Sequence, residues 1–125
     1  MIKVIIAEDN VLTREGIVNM LHKDTEINVL ASASHGKEVV ELCNSQRPDV
    51  VLMDIQMPVM SGLDAAKTLK EQNKDIKIVM LTSFLTDENI ITTIKLCCEG
   101  FLLKDNITES NKLISAIKSV YHGNK

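Results

Sequence analysis

A chain of 125 residues with 45% hydrophobic and 25% charged residues fits one globular domain, which excludes an intrinsically disordered protein. The net charge is −3 and the 14 basic residues are scattered, which argues against this domain alone gripping a nucleic-acid backbone. No charged leader and no apolar run of about 18 residues is present, so neither secretion nor a membrane span is indicated. The three cysteines show no metal spacing and cannot all pair within the chain, so we expect free thiols in a reducing cytoplasm.

Five short apolar segments alternate with five segments of helical character. The predicted strands are 2–7, 27–32, 49–53, 76–82 and 101–103, and the predicted helices are 12–23, 36–46, 63–72, 86–96 and 107–121. In the first helix, for example, Leu12, Ile17 and Leu21 recur at helical spacing. The second helix ends before Pro48, because the residue ahead of a proline disfavours helix.

This alternation predicts a parallel sheet with right-handed crossovers. The strands are almost continuously apolar, which is expected when helices cover both faces of the sheet. We therefore predict an α/β fold over residues 1–125. It is a doubly wound, five-stranded, flavodoxin-like sheet with strand order 2-1-3-4-5.

The stretch 49–62, DVVLMDIQMPVMSG, is the most informative segment of the chain. A short buried strand ends at Asp54, and Pro58 and Gly62 then break the backbone into a loop. No positive charge lies within this stretch, so Asp54 has no partner nearby in sequence. Taken alone, a solvated loop carboxylate or a helix cap explains Asp54 about as well as a role in chemistry does.

The carboxyl ends of the predicted strands bring further polar residues to the same edge of the sheet. In chain order these residues are Glu8, Asp9, Asp54, Thr82, Ser83 and Lys104. Strands one, three, four and five are consecutive in the predicted order. Three carboxylates, two hydroxyls and one ammonium should therefore meet in one shallow cleft, where ligands bind in open α/β sheets.

Electrostatics indicates what this cleft binds. Two like charges about 4 Å apart repel by roughly 4 kcal/mol at an effective dielectric near 20, so three ionised carboxylates need a proton or a cation. Oxygen ligands favour Mg²⁺, which also accepts phosphate oxygens. Glu8 and Asp9 stand where an FMN-binding domain would need an anion-binding loop, which disfavours FMN. The pattern indicates phosphoryl transfer to Asp54, assisted by Lys104 and Thr82.

Four segments, IIAEDN, VVLMDIQMPVMSGLDA, IVMLTSF and GFLLKD, resemble the receiver domain of two-component response regulators in order and spacing. The resemblance implies that Asp54 accepts a phosphoryl group from a sensor histidine kinase. It implies that Asp9 binds Mg²⁺ directly and that Glu8 binds it through water. The backbone carbonyl of Gln56 would complete the metal ligands.

The resemblance also implies a switch. Lys104 would pair with Asp54 and then with the phosphoryl oxygens, while Thr82 moves toward that group and Phe101 takes the place of the aromatic switch residue. The rearranged face would comprise the fourth predicted helix, the fifth strand and the last helix. Phe84 is bulky and follows Thr82 closely, so we expect it to shield the phosphoryl group and slow autodephosphorylation.

Lys104 and Asp105 after GFLL resemble the subfamily with a LuxR-type helix-turn-helix output. We therefore expect residues 1–125 to be the N-terminal part of a longer transcription regulator. It would form a homodimer on phosphorylation and contact DNA only through an output domain absent from this chain.

Three alternatives to this reading differ in what they require. A stand-alone receiver would act through protein contacts alone. An aspartyl-phosphate phosphatase of the haloacid-dehalogenase type needs an acid two residues after its nucleophile, where this chain has Gln56. A binding-only pseudo-receiver would lack one of the acids or the lysine.

Overall fold

A computed structural model describes residues 1–55, 57, 59–82, 98–104 and 110–123, so the helix predicted over 86–96 lies outside the described residues. Strands and helices alternate along the described chain. In order they are β1 (Ile2–Ala7), α1 (Val11–His22), β2 (Ile27–Ala33), α2 (Gly36–Gln46), β3 (Val50–Asp54), α3 (Gly62–Gln72), β4 (Lys77–Thr82), β5 (Gly100–Leu103) and α4 (Ser110–Tyr121). The described helices have 11 or 12 residues, and none of them is long and apolar enough to cross a membrane.

The five strands form one parallel sheet in the order β2-β1-β3-β4-β5, which confirms the predicted topology. The register aligns the carboxyl ends of the central strands. Ala7 of β1 pairs with Met53 of β3, and Asp54 pairs with Leu81 of β4. Residues that directly follow β1 therefore lie level with the end of β3, at one edge of the sheet.

Side chains alternate between the two faces of the sheet, and each face has its own apolar core. On one face, β3 contributes Val50 and Leu52 to a cluster with residues from α1 and α4. On the other face, Val51 and Met53 pack with residues from α2 and α3. The central strands are therefore buried on both sides, as the continuous apolar runs predict.

The observed element boundaries match the predicted ones to within one residue where both ends are described. One detail of the helical pattern is wrong: Leu12, which shares the predicted apolar spacing, is 81% exposed. It lies in the first turn of α1, whereas the buried residues of that helix are Ile17 and Leu21. The core contact of α1 therefore begins only after its first turn. The start of the predicted last helix, 107–109, lies outside the described residues.

Polar contacts at the amino ends of β4 and β5 hold β5 in place. Glu99, just before β5, accepts a hydrogen bond from the backbone N–H of Ile78 at 2.9 Å and donates its own N–H to the Ile78 carbonyl at 3.0 Å. Lys70 of α3 lies 2.8 Å from both carboxylate oxygens of Glu99. These contacts tie β5 to β4 and α3, and so help to position the residue that follows β5, Lys104.

Candidate functional site

Asp54 is the last residue of β3, and its side chain lies almost wholly inside the protein, with the residue only 3% exposed. The loop that follows is closed by a 2.7 Å hydrogen bond from the Gly62 N–H to the carbonyl oxygen of Ile55. A Cβ atom at Gly62 would collide with the backbone carbonyl of Asp54. Glycine is therefore required at this position so that α3 can begin directly against Asp54.

Glu8 and Asp9 follow β1 at the same edge. The Glu8 N–H donates to the Ala33 carbonyl of β2 at 3.0 Å, which extends the sheet contact by one residue. Glu8 is fully buried, whereas Asp9 is exposed. Asn10 then caps α1, with its Oδ1 accepting the Thr13 N–H at 3.0 Å. The two adjacent acids therefore approach the cleft in different ways, one from inside and one from the solvent side.

Lys104 completes the cluster from the end of β5. Its Nζ lies 3.0 Å from Asp54 Oδ2 and 2.5 Å from Glu8 Oε1. Lys104 Nζ and Glu8 Oε1 form an ion pair in the interior of the cluster. The ammonium therefore bridges two buried carboxylates.

One oxygen from each of Glu8, Asp9 and Asp54 lies within 4.8 Å of the others. Three carboxylates and the single ammonium of Lys104 leave two excess negative charges when all four groups are ionised. An all-oxygen set with this charge fits a hard divalent cation such as Mg²⁺. The residues present therefore suit the metal that the sequence predicts.

The pKa values of Glu8 and Lys104 reflect this excess of negative charge. Burial raises the pKa of Glu8 above its usual value, and the neighbouring Asp54 raises it further, while Lys104 partly offsets both effects. Burial works to lower the pKa of Lys104, but its contacts with Glu8 and Asp54 outweigh that effect and leave its pKa raised. The ammonium therefore stays charged, and the buried carboxylate charge is unfavourable until a cation joins the cluster.

The structure brings together four of the residues predicted from the sequence: Glu8, Asp9, Asp54 and Lys104. Thr82 ends β4 and pairs in register with Leu103, so its backbone lies at the same edge. Phe101 is partly buried and packs against the core on the side of α2 and α3. The predicted roles of Gln56, Ser83 and Phe84 concern residues outside those that the structure describes.

Three features of the site were not predicted from the sequence. Arg14 donates from Nη1 to the backbone carbonyl of Glu8 at 2.9 Å. Gly36 packs so closely on the loop after Asp54 that a Cβ atom there would meet the Met60 carbonyl. Val59, an exposed residue between Ile55 and Gly62, has a φ of 69°. A β-branched residue rarely adopts positive φ, so only the structure could reveal this strain.

A cavity of about 380 Å³ lies at the other edge of the sheet. Its lining includes Arg47 and Pro48, which precede β3, and Asp75 and Ile76, which precede β4. It is therefore separated from the acidic cluster by the length of the strands. Burial raises the pKa of the Cys43 thiol in its wall to about 12, which keeps that thiol protonated.

The fold and the acidic edge together define a parallel α/β domain with three carboxylates that could hold a cation at the carboxyl ends of its strands. The chain belongs to the family described as the response regulator receiver domain, whose pattern matches residues 4–118. The resemblance predicted from the sequence is thereby confirmed. Domains of this family are signalling switches rather than multiple-turnover enzymes.

Known proteins agree with this membership. The chain is 38% identical over 122 residues to the uncharacterized transcriptional regulatory protein YxjL of Bacillus subtilis strain 168, an alignment that covers 98% of this chain and 55% of that protein. The signal receiver domain of the putative response regulator NarL from Mycobacterium tuberculosis superposes with a TM-score of 0.92 at 26% identity, covering 98% of both chains.

A LuxR-family DNA-binding response regulator from Staphylococcus aureus superposes with a TM-score of 0.90 at 25% identity, covering 97% of this chain and 99% of that structure. This match agrees with the LuxR-type subfamily indicated by GFLLKD. The chain spans about half the length of the curated relatives it matches.

Proposed function

We propose that this domain is a phosphorylation-dependent switch of a two-component system in which Asp54 is the phosphoacceptor. The observation that carries the proposal is the meeting of Asp54 with two further carboxylates and one ammonium at the carboxyl edge of the sheet. Phosphoryl transfer requires positioning as well as charge neutralisation. The hydrogen bond between Gly62 and Ile55, which closes the loop after Asp54, supports such positioning.

The phosphoryl donor is a phosphohistidine of a sensor histidine kinase. An Asp54 oxygen attacks phosphorus, the phosphorus–nitrogen bond breaks, and its electron pair returns to the kinase imidazole. The product is an acyl phosphate on Asp54. Lys104, already 3.0 Å from Asp54 Oδ2, transfers its contact to a phosphoryl oxygen, and the hydroxyl of Thr82 approaches the same group.

Asp9, Asp54 and the backbone carbonyl of Gln56 would hold Mg²⁺, and Glu8 would act on it through water. When bound, the cation supplies positive charge to the phosphoryl oxygens and offsets the repulsion among the three acids. The fully buried position of Glu8 supports a role in fixing the charge of the site rather than in direct exchange with solvent.

The output is a changed surface formed by the region of 86–96, β5 and α4. The position of Phe101 in β5 supports this choice of output surface, because Phe101 is only partly buried and pairs in register with Met80 of β4. The relatives are transcriptional regulators nearly twice as long as this chain, which supports DNA binding through an output domain. We expect the domain to form a homodimer on phosphorylation.

Treatment with acetyl phosphate and Mg²⁺ followed by intact-mass measurement tests the proposal. We expect one phosphoryl group on the wild-type chain and none on Asp54→Asn. Asp64→Asn is the matched control, because Asp64 is an exposed acid in the first turn of α3 and should leave uptake unchanged. Continuous release of phosphate without stable modification would favour a phosphatase, and no uptake would favour a binding-only domain.

A further inference from the structure

The peptide between Glu8 and Asp9 is held by a residue that lies outside the acidic cluster. Arg14, one turn into α1, reaches back and donates from Nη1 to the Glu8 carbonyl oxygen at 2.9 Å. Its own backbone N–H donates to the Asn10 carbonyl at 2.9 Å, so the arginine sits in the regular hydrogen-bond pattern of α1. The guanidinium thus links α1 to the last peptide before Asp9.

This contact has a direct geometric consequence for Asp9. The Glu8 carbonyl and the Asp9 N–H belong to one planar peptide unit, so fixing the carbonyl oxygen fixes the direction in which the chain enters Asp9. The hydrogen bond to Ala33 anchors the peptide before Glu8, and the Asn10 cap anchors the start of α1. The peptide that joins Glu8 to Asp9 lies between these anchors, and Arg14 holds it.

We propose that Arg14 is a positioning residue that orients Asp9 for Mg²⁺ by clamping the peptide between Glu8 and Asp9. The inference rests on the proposed magnesium site. Asp9 is the exposed member of the three acids, so burial does little to restrict its side chain and the backbone must aim it. A charged donor is suited to this task, because its hydrogen bond to a carbonyl is stronger than that of a neutral donor.

If Arg14 acted only through its charge, its removal would change the Mg²⁺ affinity in the opposite direction. A guanidinium close to the acidic cluster repels a second cation, so removing its charge alone would strengthen Mg²⁺ binding. Removing a positioning contact would weaken binding, and the loss of a group that orients a metal ligand typically lowers metal affinity 10–100-fold. The direction of the change in Mg²⁺ affinity therefore separates the two roles.

The test is the dissociation constant for Mg²⁺, measured by isothermal titration calorimetry on the wild-type chain, Arg14→Met and Arg14→Lys. Methionine keeps an apolar stem but no donor, and we expect about 10-fold weaker binding. Lysine keeps a charged donor, and we expect most of the affinity to return. Lys23→Met is the matched control, because it removes an exposed positive charge at the other end of α1 and should not weaken binding.

A double-mutant cycle tests whether Arg14 acts through Asp9. We expect Arg14→Met to cause no further loss in an Asp9→Asn background, because the ligand that Arg14 orients is already gone. Arg14→Gln replaces Arg14→Met in the cycle if the methionine variant does not fold. Equal losses in both backgrounds would overturn the inference, as would Mg²⁺ binding by Arg14→Met at or above wild-type affinity. A wild-type chain that ignores Mg²⁺ would instead refute the proposed metal site itself.

Discussion

Lys104 and Asp54 are 50 residues apart in the chain, yet Lys104 Nζ lies 3.0 Å from Asp54 Oδ2. The contact spans β4, which separates the strands that carry the two residues. The same ammonium lies 2.5 Å from Glu8 Oε1, so one lysine serves two buried carboxylates. A metal ion would therefore compete with the Lys104 ammonium for these carboxylates, whereas a phosphoryl group on Asp54 would compete with the carboxylates for the ammonium.

Replacing Lys104 by methionine should separate stability from cation binding. Without Mg²⁺, we expect the free energy of unfolding to fall by about 1–3 kcal/mol, because two buried carboxylates lose their cation in a partly exposed site. Mg²⁺ should bind several-fold more tightly, since a competing positive charge is gone. Denaturant melts and calorimetric titration measure the two effects, with Lys112→Met on α4 as an exposed-lysine control. Weaker Mg²⁺ binding in Lys104→Met would contradict this account.

Replacing Glu8 by glutamine should stabilise the metal-free protein. The raised pKa of Glu8 means that its charged form is less favourable in the folded protein than in the unfolded chain. We expect a gain of about 1 kcal/mol at neutral pH from removing this buried charge. The same substitution should weaken Mg²⁺ binding. Thermal melts with and without Mg²⁺ measure both effects, and Glu41→Gln on the exposed side of α2 is the control.

The sign of the pH dependence follows from the same shift. A carboxyl whose pKa is raised on folding takes up a proton as the chain folds, so the contribution of Glu8 to stability increases as the pH falls from neutral toward the ordinary value of 4.5. The advantage of Glu8→Gln over the wild type should therefore shrink across this window. If the stability difference between Glu8→Gln and the wild type stays constant from neutral pH to pH 4.5, the charge of Glu8 does not destabilise the fold.

Two glycine-to-alanine substitutions should have opposite effects. A Cβ atom at Gly62 would collide with the Asp54 backbone, and we expect Gly62→Ala to destabilise the fold by about 2 kcal/mol or more. No atom lies within 4 Å of a Cβ atom built at Gly16, inside α1. Gly16→Ala should therefore stabilise the protein by about 0.5–1 kcal/mol through helix propensity. Urea unfolding at equal protein concentration compares them, and equal effects would contradict the close packing seen at Gly62.

Val59 should lie in a strained backbone conformation that glycine relieves. Its φ of 69° places a β-branched residue in the left-handed region, at a position that is 80% exposed. We expect Val59→Gly to stabilise the fold by about 0.5–1 kcal/mol, whereas Val59→Ala should bring little gain because a Cβ atom remains. Chemical denaturation of the three proteins tests this order. A Val59→Gly variant less stable than the wild type would rule out strain at this position.

The sequence was sufficient to predict the topology and most of the site, because both follow from simple periodic patterns. The alternation of apolar strands and helices predicts the sheet order, and the sheet order brings Glu8, Asp54 and Lys104 to one edge. The topology thus predicts that Asp54 and Lys104 lie in one cleft, and the resemblance implies that they pair. The resemblance then supplied the chemical roles that geometry alone left open.

Side-chain detail could not be predicted in the same way. Nothing in the spacing of Arg14 indicates that its long side chain turns back to the Glu8 carbonyl, since that contact depends on reach and rotamer. The backbone of Val59 contradicts the preference of its own side chain, so a propensity argument predicts the wrong conformation there. Leu12 has helical spacing but lies before the first core contact of α1, which only the packed structure reveals.

Chemical trapping of the acyl phosphate is the most direct test of the central claim that Asp54 is the phosphoacceptor. The chain is treated with acetyl phosphate and Mg²⁺, reduced with borohydride, digested and sequenced by mass spectrometry. Our account predicts reduction of the Asp54 side chain to homoserine, dependent on Mg²⁺, with the side chains of Glu8 and Asp9 unmodified. Reduction at another carboxylate, or none in a chain that remains folded and binds Mg²⁺, would contradict it.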